Sequence, residues 1–196
     1  MCIRLLGTSF CHYNASNKTL TFYYDNNNGY ENHPEAFKIY YDFEQLPDNK
    51  MKPWCYDSNI TTNIEDVVFD NSFRDMRITN LNFFFRDLRK LKDISRLSNL
   101  NTSEATKMQG MFQACNSLEY IDVTGFDTRN VTDMSFMFSG CCSLTYIDVT
   151  GFNTENVTSM YRMFNYTGLK TLDLSSFNTS KLNSRYAIEA MFKDSG

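Results

Sequence analysis

The heptapeptide YIDVTGF occurs twice in the chain, at residues 120–126 and again at residues 146–152. In the first copy the apolar residues Ile121 and Val123 alternate with polar ones, which is typical of a short strand with one buried face. We therefore expect Ile121, Val123 and Phe126 to point inward and the residues between them to face solvent. A segment that recurs at this length indicates a structural repeat.

The heptapeptide lies within a longer unit that recurs about five times. An apolar residue leads each unit, and these residues are Ile64, Leu91, Leu118, Leu144 and Leu169. Their spacings are 27, 27, 26 and 25 residues. A phenylalanine recurs later in the unit at Phe112, Phe138, Phe164 and Phe192, at intervals of 26, 26 and 28 residues. The first units match the pattern least well, as expected for terminal repeats, which must present a different outer face.

Each unit combines two hydrophobic periods. After the strand-like heptapeptide, the segment NVTDMSFMF at residues 130–138 places its apolar residues at helical spacing, which predicts one or two turns of helix. Asp127 and Thr128 supply turn and cap chemistry between the two parts. A strand, a turn and a short helix make up a leucine-rich repeat of this size. We therefore predict an α/β fold, in which residues 63–196 form a right-handed β/α leucine-rich-repeat solenoid of about five units of 25–28 residues, with a parallel sheet on one face.

The first 62 residues do not follow the repeat and form a separate β-rich leader. The segments TLTFYY at residues 19–24 and FKIYYDF at residues 37–43 are alternating or rich in aromatic residues. We predict that they form a β-hairpin that caps the N-terminal end of the solenoid, where a sheet edge would otherwise be exposed. The last unit departs from the pattern at residues 183–192, either as a native C-terminal cap or because a longer array continues beyond it.

Composition argues against several classes of function. A formal net charge of −4 and an acidic pI of about 5.2 disfavour a general nucleic-acid binder, which needs a basic face. No apolar run of about 18 residues is present, which disfavours membrane insertion, and the N-terminus does not read as a secretory signal. The two histidines and scattered carboxylates match no catalytic or metal-binding spacing, so we expect no enzyme activity, cofactor or metal site.

The six cysteines lack paired spacing of the kind that binds zinc. Cys115 and Cys141 occupy the same position in neighbouring units. We expect two stacked buried thiols there, with a disulfide across the stack as the alternative. Cys142 has no counterpart in the other units.

The solvent-facing positions of neighbouring units should align in columns of tyrosine, carboxylate and hydroxyl residues. We call this candidate protein-binding surface the Tyr–Asp face; it comprises Tyr120, Asp122, Thr124, Tyr146, Asp148, Thr150, Lys170, Thr171, Asp173 and Ser175. Stacked carboxylates repel one another unless something offsets the charge. The columns either bind a partner, or the aspartates bond to neighbouring Thr and Ser and keep the face soluble. A calcium site is a third alternative, although one Asp per unit gives few ligands.

The repeat resembles that of BspA-like bacterial leucine-rich-repeat surface proteins, approximately L-x-x-L-D-L-S-x-F-N-T-S-x-V-T-x-M-x-x-M-F-x-x-C. The matching segments are SLEYIDVTGFDTRNVTDMSFMFSGC at residues 117–141, SLTYIDVTGFNTENVTSMYRMF at residues 143–164 and KTLDLSSFNTS at residues 170–180. Residues 19–27 and 54–73 are similar to the segment that precedes the repeats in that family. The resemblance implies a solenoid without catalysis, located at the cell surface or secreted, which binds other proteins such as host matrix or cell-surface components.

We therefore expect a non-enzymatic protein-binding or adhesion module with a protein partner. The alternative is a structural or assembly component that self-associates or docks into a larger particle. Residues 74–96 carry seven basic and three acidic residues, a net charge of +4, and residues 118–177 carry three basic and seven acidic, a net charge of −4. This gradient along the chain could favour head-to-tail contact. The oligomeric state and the partner's identity remain open at this level.

Overall fold

The computed structural model describes residues 8–25 and 61–195. Four strands form one sheet, and they are β1 (Thr8–Asn14), β2 (Thr19–Asp25), β3 (Asp66–Phe69) and β4 (Asp93–Ser95). The strand order is β1-β2-β3-β4. The sheet is mixed, because β1 and β2 are antiparallel whereas β3 runs parallel to both β2 and β4. Short 3-10 helices lie at Asn71–Asp75, Leu97–Asn99 and Arg185–Ala187.

An antiparallel hairpin is present in the leader, with Asn14 paired to Thr19. Residues 19–24, one of the two predicted hairpin segments, lie in β2, but their antiparallel partner is β1. The other predicted segment, residues 37–43, lies outside the described residues. The hairpin joins the repeats through β2, which pairs with β3 from Thr19 opposite Asp66 to Phe22 opposite Phe69. The leader and the first unit therefore share one sheet.

An ion-pair cluster ties the hairpin to the first two units. The Glu65 carboxylate, next to β3, contacts the ammonium groups of Lys18 in the hairpin turn and Lys92 next to β4. Hydrogen bonds from these two lysines lower the pKa of Glu65 to about 2. Beneath it, the buried rings of Phe22 and Phe69 stack with centroids 5.1 Å apart.

The prediction of a right-handed β/α leucine-rich-repeat solenoid is wrong. Residues 62–195 contain no α-helix, and the parallel strands end at β4. Only the leading segments of the first two units are strands. The segment at residues 130–138, predicted to be helical, consists of turns and a single β-bridge at Asp133.

Local hydrogen bonds explain why the repeated heptapeptide does not form a strand. The Asp122 side chain accepts a bond from the backbone N–H of Thr124 at 3.0 Å, and the N–H of Phe126 donates to the carbonyl of Val123 at 3.0 Å. This Asx turn uses an N–H that a parallel ladder would need. The second copy of YIDVTGF makes the same two bonds. The alternation nevertheless predicts burial correctly, because Ile121 and Val123 are buried.

The units contact one another through a different part of the repeat. We call residues 80–88, 107–115, 133–141, 159–167 and 187–195 the pairing segments. In the third of these, the N–H groups of alternate residues donate to carbonyls of the fourth: Met134 to Ser159, Phe136 to Tyr161, Phe138 to Met163 and Gly140 to Asn165, at 2.8–3.0 Å. Four such bonds form at each of the four junctions between units. The segments predicted to be helical therefore hold the units together.

The pairing segments require a left-handed backbone at two positions each. These residues are Phe83, Gly110, Phe136, Arg162 and Ala190 at the first position, and Asp87, Ala114, Gly140, Tyr166 and Asp194 at the second. Their φ values lie between 53° and 78°, which ends a right-handed helix at once. Most are not glycine, so the bonds between units override the local preference of the chain. At Gly110 a side chain would also collide, because a Cβ there would lie 2.6 Å from the ring of Phe83.

A column of stacked rings runs through the core beneath the pairing segments. It consists of Phe85, Phe112, Phe138, Phe164 and Phe192. Neighbouring centroids are 5.2, 5.5, 5.6 and 5.8 Å apart, and the last three ring pairs are within 5° of parallel. These separations fall in the range of favourable aromatic pairs. The recurring phenylalanine of the sequence is thus the centre of the core.

Buried threonines brace the units at a second point. The hydroxyl of Thr128 donates to the carbonyl of Asn153 at 3.0 Å and accepts from the N–H of the same residue at 2.8 Å. Thr102 and Thr154 make the equivalent pair of bonds to the unit that follows each of them. The predicted turn residue Thr128 therefore links units and does not cap a helix.

We expect Phe138→Ala to lower the free energy of unfolding by roughly 3–5 kcal/mol, because it removes a fully buried ring stacked on both faces. Urea denaturation followed by circular dichroism measures this loss. The matched control is Phe192→Ala, which removes the terminal ring of the column, 48 % of whose residue surface is exposed. Its loss should be clearly smaller, and equal losses for the two variants would contradict the ring column as the centre of the core.

Candidate protein-binding face

The structure brings part of the Tyr–Asp face together in one open groove. Tyr146, Asp148, Thr150, Thr171 and Asp173 line a depression of about 480 Å³, with the backbone of the intervening apolar residues as its floor. Tyr120, Asp122 and Thr124 precede these residues by one repeat, and Lys170 and Ser175 are their chain neighbours. All ten residues of the face are exposed or half-buried.

The two tyrosines are the most prominent features of this surface. Tyr120 is 60 % exposed and Tyr146 is 55 % exposed, and neither ring packs into the core. Tyrosine offers a large, fairly rigid contact surface and a hydroxyl, so it loses little conformational entropy on binding. The third unit of the column has Thr171 at this position, so the aromatic surface spans two units.

The aspartates of the face are held by local hydrogen bonds. The hydroxyl of Thr124 donates to Oδ1 of Asp122 at 2.6 Å, and the hydroxyl of Thr150 donates to Oδ1 of Asp148 at 2.7 Å. These bonds, and then those from the backbone N–H groups, lower the pKa of each carboxyl. Asp173 has a lowered pKa for the same reasons, with Ser175 as its partner.

The repulsion expected between stacked carboxylates is present but weaker than the hydrogen bonds. The charge of Asp148 raises the pKa of Asp122, and that of Asp173 raises the pKa of Asp148, yet both pKa values end below their ordinary range. The bonds from Thr and Ser that the sequence offers as an alternative to binding therefore exist. Because they all use Oδ1, Oδ2 of each carboxylate is left for another partner.

The described residues give the calcium alternative no support. Residues 8–25 and 61–195 contain no group of three or more His, Cys, Asp or Glu side chains placed to hold a metal ion. Within that same part of the chain, no helix is long and apolar enough to cross a membrane.

The buried-thiol prediction is confirmed for Cys115 and Cys141, which are both free and buried. Each thiol donates to a carbonyl one unit back, Cys115 to Phe85 at 3.1 Å and Cys141 to Phe112 at 3.2 Å. Burial raises the pKa of Cys141 to about 12. Cys142 is free and exposed.

Sequence reasoning missed a second exposed apolar region, at the C-terminal end. Ile188 and Phe192 are half exposed, although their positions in the unit predict burial. They lie beside Leu174, Phe177 and Leu182 in an open apolar groove. The signal was available in the sequence, because no further unit follows to cover the apolar side of the last one.

Comparison with known proteins gives one match. A family model described as "Mycoplasma protein of unknown function, DUF285" matches residues 55–168 and residues 79–196. The two overlapping matches include all the repeats. No curated protein and no solved structure matches this chain.

We expect Thr150→Val to raise the pKa of Asp148, because the hydroxyl of Thr150 is the largest cause of its lowering. A carbon-detected NMR titration of the side-chain carboxyl measures the shift. Thr150→Ser keeps the hydroxyl and should leave the pKa low, as Ser175 does for Asp173. An unchanged pKa in Thr150→Val would show that this bond does not form in solution.

The same bond sets the sign of a pH effect on stability. The folded pKa of Asp148 lies below the unfolded value of about 3.9. Its stabilising contribution is therefore complete above that pH and is lost as the pH falls through the folded pKa. The stability difference between the native protein and Thr150→Val should shrink over that acidic range.

Proposed function

This chain belongs to the family described as "Mycoplasma protein of unknown function, DUF285", and from that premise we propose that it is a non-enzymatic protein-binding module. The Tyr–Asp face is its recognition surface. The observation that carries the proposal is the pair of exposed tyrosines, Tyr120 and Tyr146, beside a row of carboxylates in an open groove. The partner is a protein with a basic and apolar surface.

The chemistry of the face supports a partner of that kind. Aromatic side chains that stand free of the core supply most of the contact energy in many protein interfaces. The lowered pKa values keep Asp122, Asp148 and Asp173 charged at neutral and mildly acidic pH. Complementary basic groups on the partner would gain from this charge in both rate and specificity of association. The local bonds also hold the carboxylates in place before binding, which reduces the entropy lost.

The resemblance of the repeat to BspA-like surface proteins supports a place at the cell surface or outside the cell. It also supports adhesion to a host matrix or cell-surface protein as the form that binding takes. Both assignments belong to the proposal and follow from the repeat motif rather than from the groove.

The test is binding of the purified protein to immobilised fibronectin, laminin and collagen and to intact host cells, measured over a range of concentrations. We expect saturable binding to at least one of these, weakened about tenfold or more by the triple variant Tyr120→Ser, Tyr146→Ser, Asp148→Asn. Asparagine keeps Oδ1 for the turn, so the fold should survive. Thermal denaturation checks that it does.

The matched control is Tyr166→Ser, because Tyr166 is 53 % exposed but lies in a pairing segment outside the Tyr–Asp face. This variant should bind as the native protein does. Equal binding by the triple variant and the native protein would place recognition elsewhere, and no binding to any of these probes would contradict adhesion to host matrix.

A second candidate is an assembly component that self-associates or docks into a larger particle. The exposure of Ile188 and Phe192 at the C-terminal end favours it, since an apolar patch of this kind marks an interaction site on many proteins. If self-association is the function, light scattering should show a molar mass that rises with protein concentration and falls again in Phe192→Asp. A constant monomer mass would contradict self-association.

A further inference from the structure

The last pairing segment, residues 187–195, has an unused row of backbone donors. At the interior junctions the N–H groups of alternate residues donate to the next unit, as Met160, Arg162, Phe164 and Tyr166 do to this one. The equivalent residues of the last segment are Ile188, Ala190, Phe192 and Asp194. Within the described part of the chain, their N–H groups have no acceptor. Their two-residue spacing makes them one edge, which is a template for pairing with another chain.

The apolar side of the same unit is open as well. The ring of Phe192 lies 5.8 Å from that of Phe164 and within 2° of parallel, so one of its faces is covered. Its other face has no ring above it among the described residues. The surrounding groove is lined by apolar side chains, among them Leu174, Phe177 and Leu182. This is the surface that, at the interior junctions, is covered by the following unit.

The interior junctions define what fits this surface. Each requires carbonyls at every second residue of the incoming segment and a phenylalanine ring that stacks between 5.2 and 5.8 Å from the last one. A pairing segment of the same repeat meets both requirements. Residues 159–167, with sequence SMYRMFNYT, are an example from this chain.

The partner is not a second copy of this chain. Two C-terminal ends both present N–H donors and cannot pair with each other. A head-to-tail contact would need open acceptors in the first pairing segment, and the residues at its acceptor positions already interact with other residues; they are Asn80, Asn82, Phe84 and Arg86. The charge gradient alone does not overcome this mismatch, because surface charges are screened by salt.

We propose that the C-terminal end, formed by the N–H groups of Ile188, Ala190, Phe192 and Asp194 and the open face of Phe192, docks one repeat unit of the same type from a separate polypeptide chain. The added unit extends the phenylalanine column and pairs with the donor row. This is addition of a segment to an unpaired edge. The site shares no residue with the Tyr–Asp face, so each proposal stands or falls without the other.

The probe is a synthetic peptide of residues 158–168 with blocked termini, added to the full chain at up to about 1 mM. Residue-resolved hydrogen exchange by NMR is the readout. We expect exchange at the amides of Ile188, Ala190, Phe192 and Asp194 to slow about tenfold or more at saturation, while the amides of the Tyr–Asp face do not change. A second arm fuses residues 144–169 as an added unit after Gly196, which raises the effective concentration.

Two matched controls address specificity. A peptide with Phe164→Asp lacks the stacking ring, and the protein variant Phe192→Asp lacks its receptor; both should abolish protection. Phe192 is half exposed, so the variant should keep its fold, which circular dichroism checks.

Three results would overturn the proposal. The first is no protection of the four amides with either the peptide or the fused unit. The second is binding that persists in Phe192→Asp. The third is protection that rises with protein concentration without any peptide, since that would assign the surface to a second copy of the chain.

Discussion

The backbone bonds between pairing segments are the interaction on which the structure depends. Each junction places four N–H groups of one unit on four carbonyls of the next, and the same geometry holds the phenylalanine rings 5.2–5.8 Å apart. One unit buries too little apolar surface to fold alone, so the core exists only between units. The turns, the left-handed residues and the threonine braces follow from the need to present donors at every second position.

The sequence predicts the repeat, its length and its inward residues, because burial leaves a direct mark on the pattern of apolar residues. Ile121, Val123 and Phe138 are buried as that pattern requires. It does not predict which part of the unit pairs with its neighbours. Apolar residues three and four apart suit a helix, but they also suit consecutive turns whose side chains fill the same core. The left-handed backbone at Phe136 and Arg162 has no sequence signal, since neither is a residue that favours it.

The heptapeptide shows the opposite error for a related reason. Its alternation is that of a strand, yet Asp122 takes the N–H of Thr124, and the chain turns at Gly125. The Asp-x-Thr spacing could have indicated an Asx turn, because Asp and Asn often bond to the backbone two residues on. On the Tyr–Asp face, the sequence identified which side chains are exposed. It could not show that five of them share a groove, which depends on how neighbouring units align.

The two halves of the repeat therefore carry two different surfaces. The turns that do not pair display tyrosines and carboxylates, and the segments that do pair leave an open edge where the last unit ends. Side chains form the first surface, and it can vary without loss of the fold. Backbone and core residues form the second, so it accepts only a segment that resembles the repeat itself.

Hydrogen exchange resolved by residue tests the central claim most directly. If the units are joined through the pairing segments, the amides of Met134, Phe136, Phe138 and Gly140 will be among the slowest to exchange, since each donates to the next unit. The amides of residues 121–123 have no acceptor within the described residues and will exchange quickly. Slow exchange at residues 121–123 with fast exchange at Met134 and Phe136 would mean that the units pair through the heptapeptide, and would contradict this account.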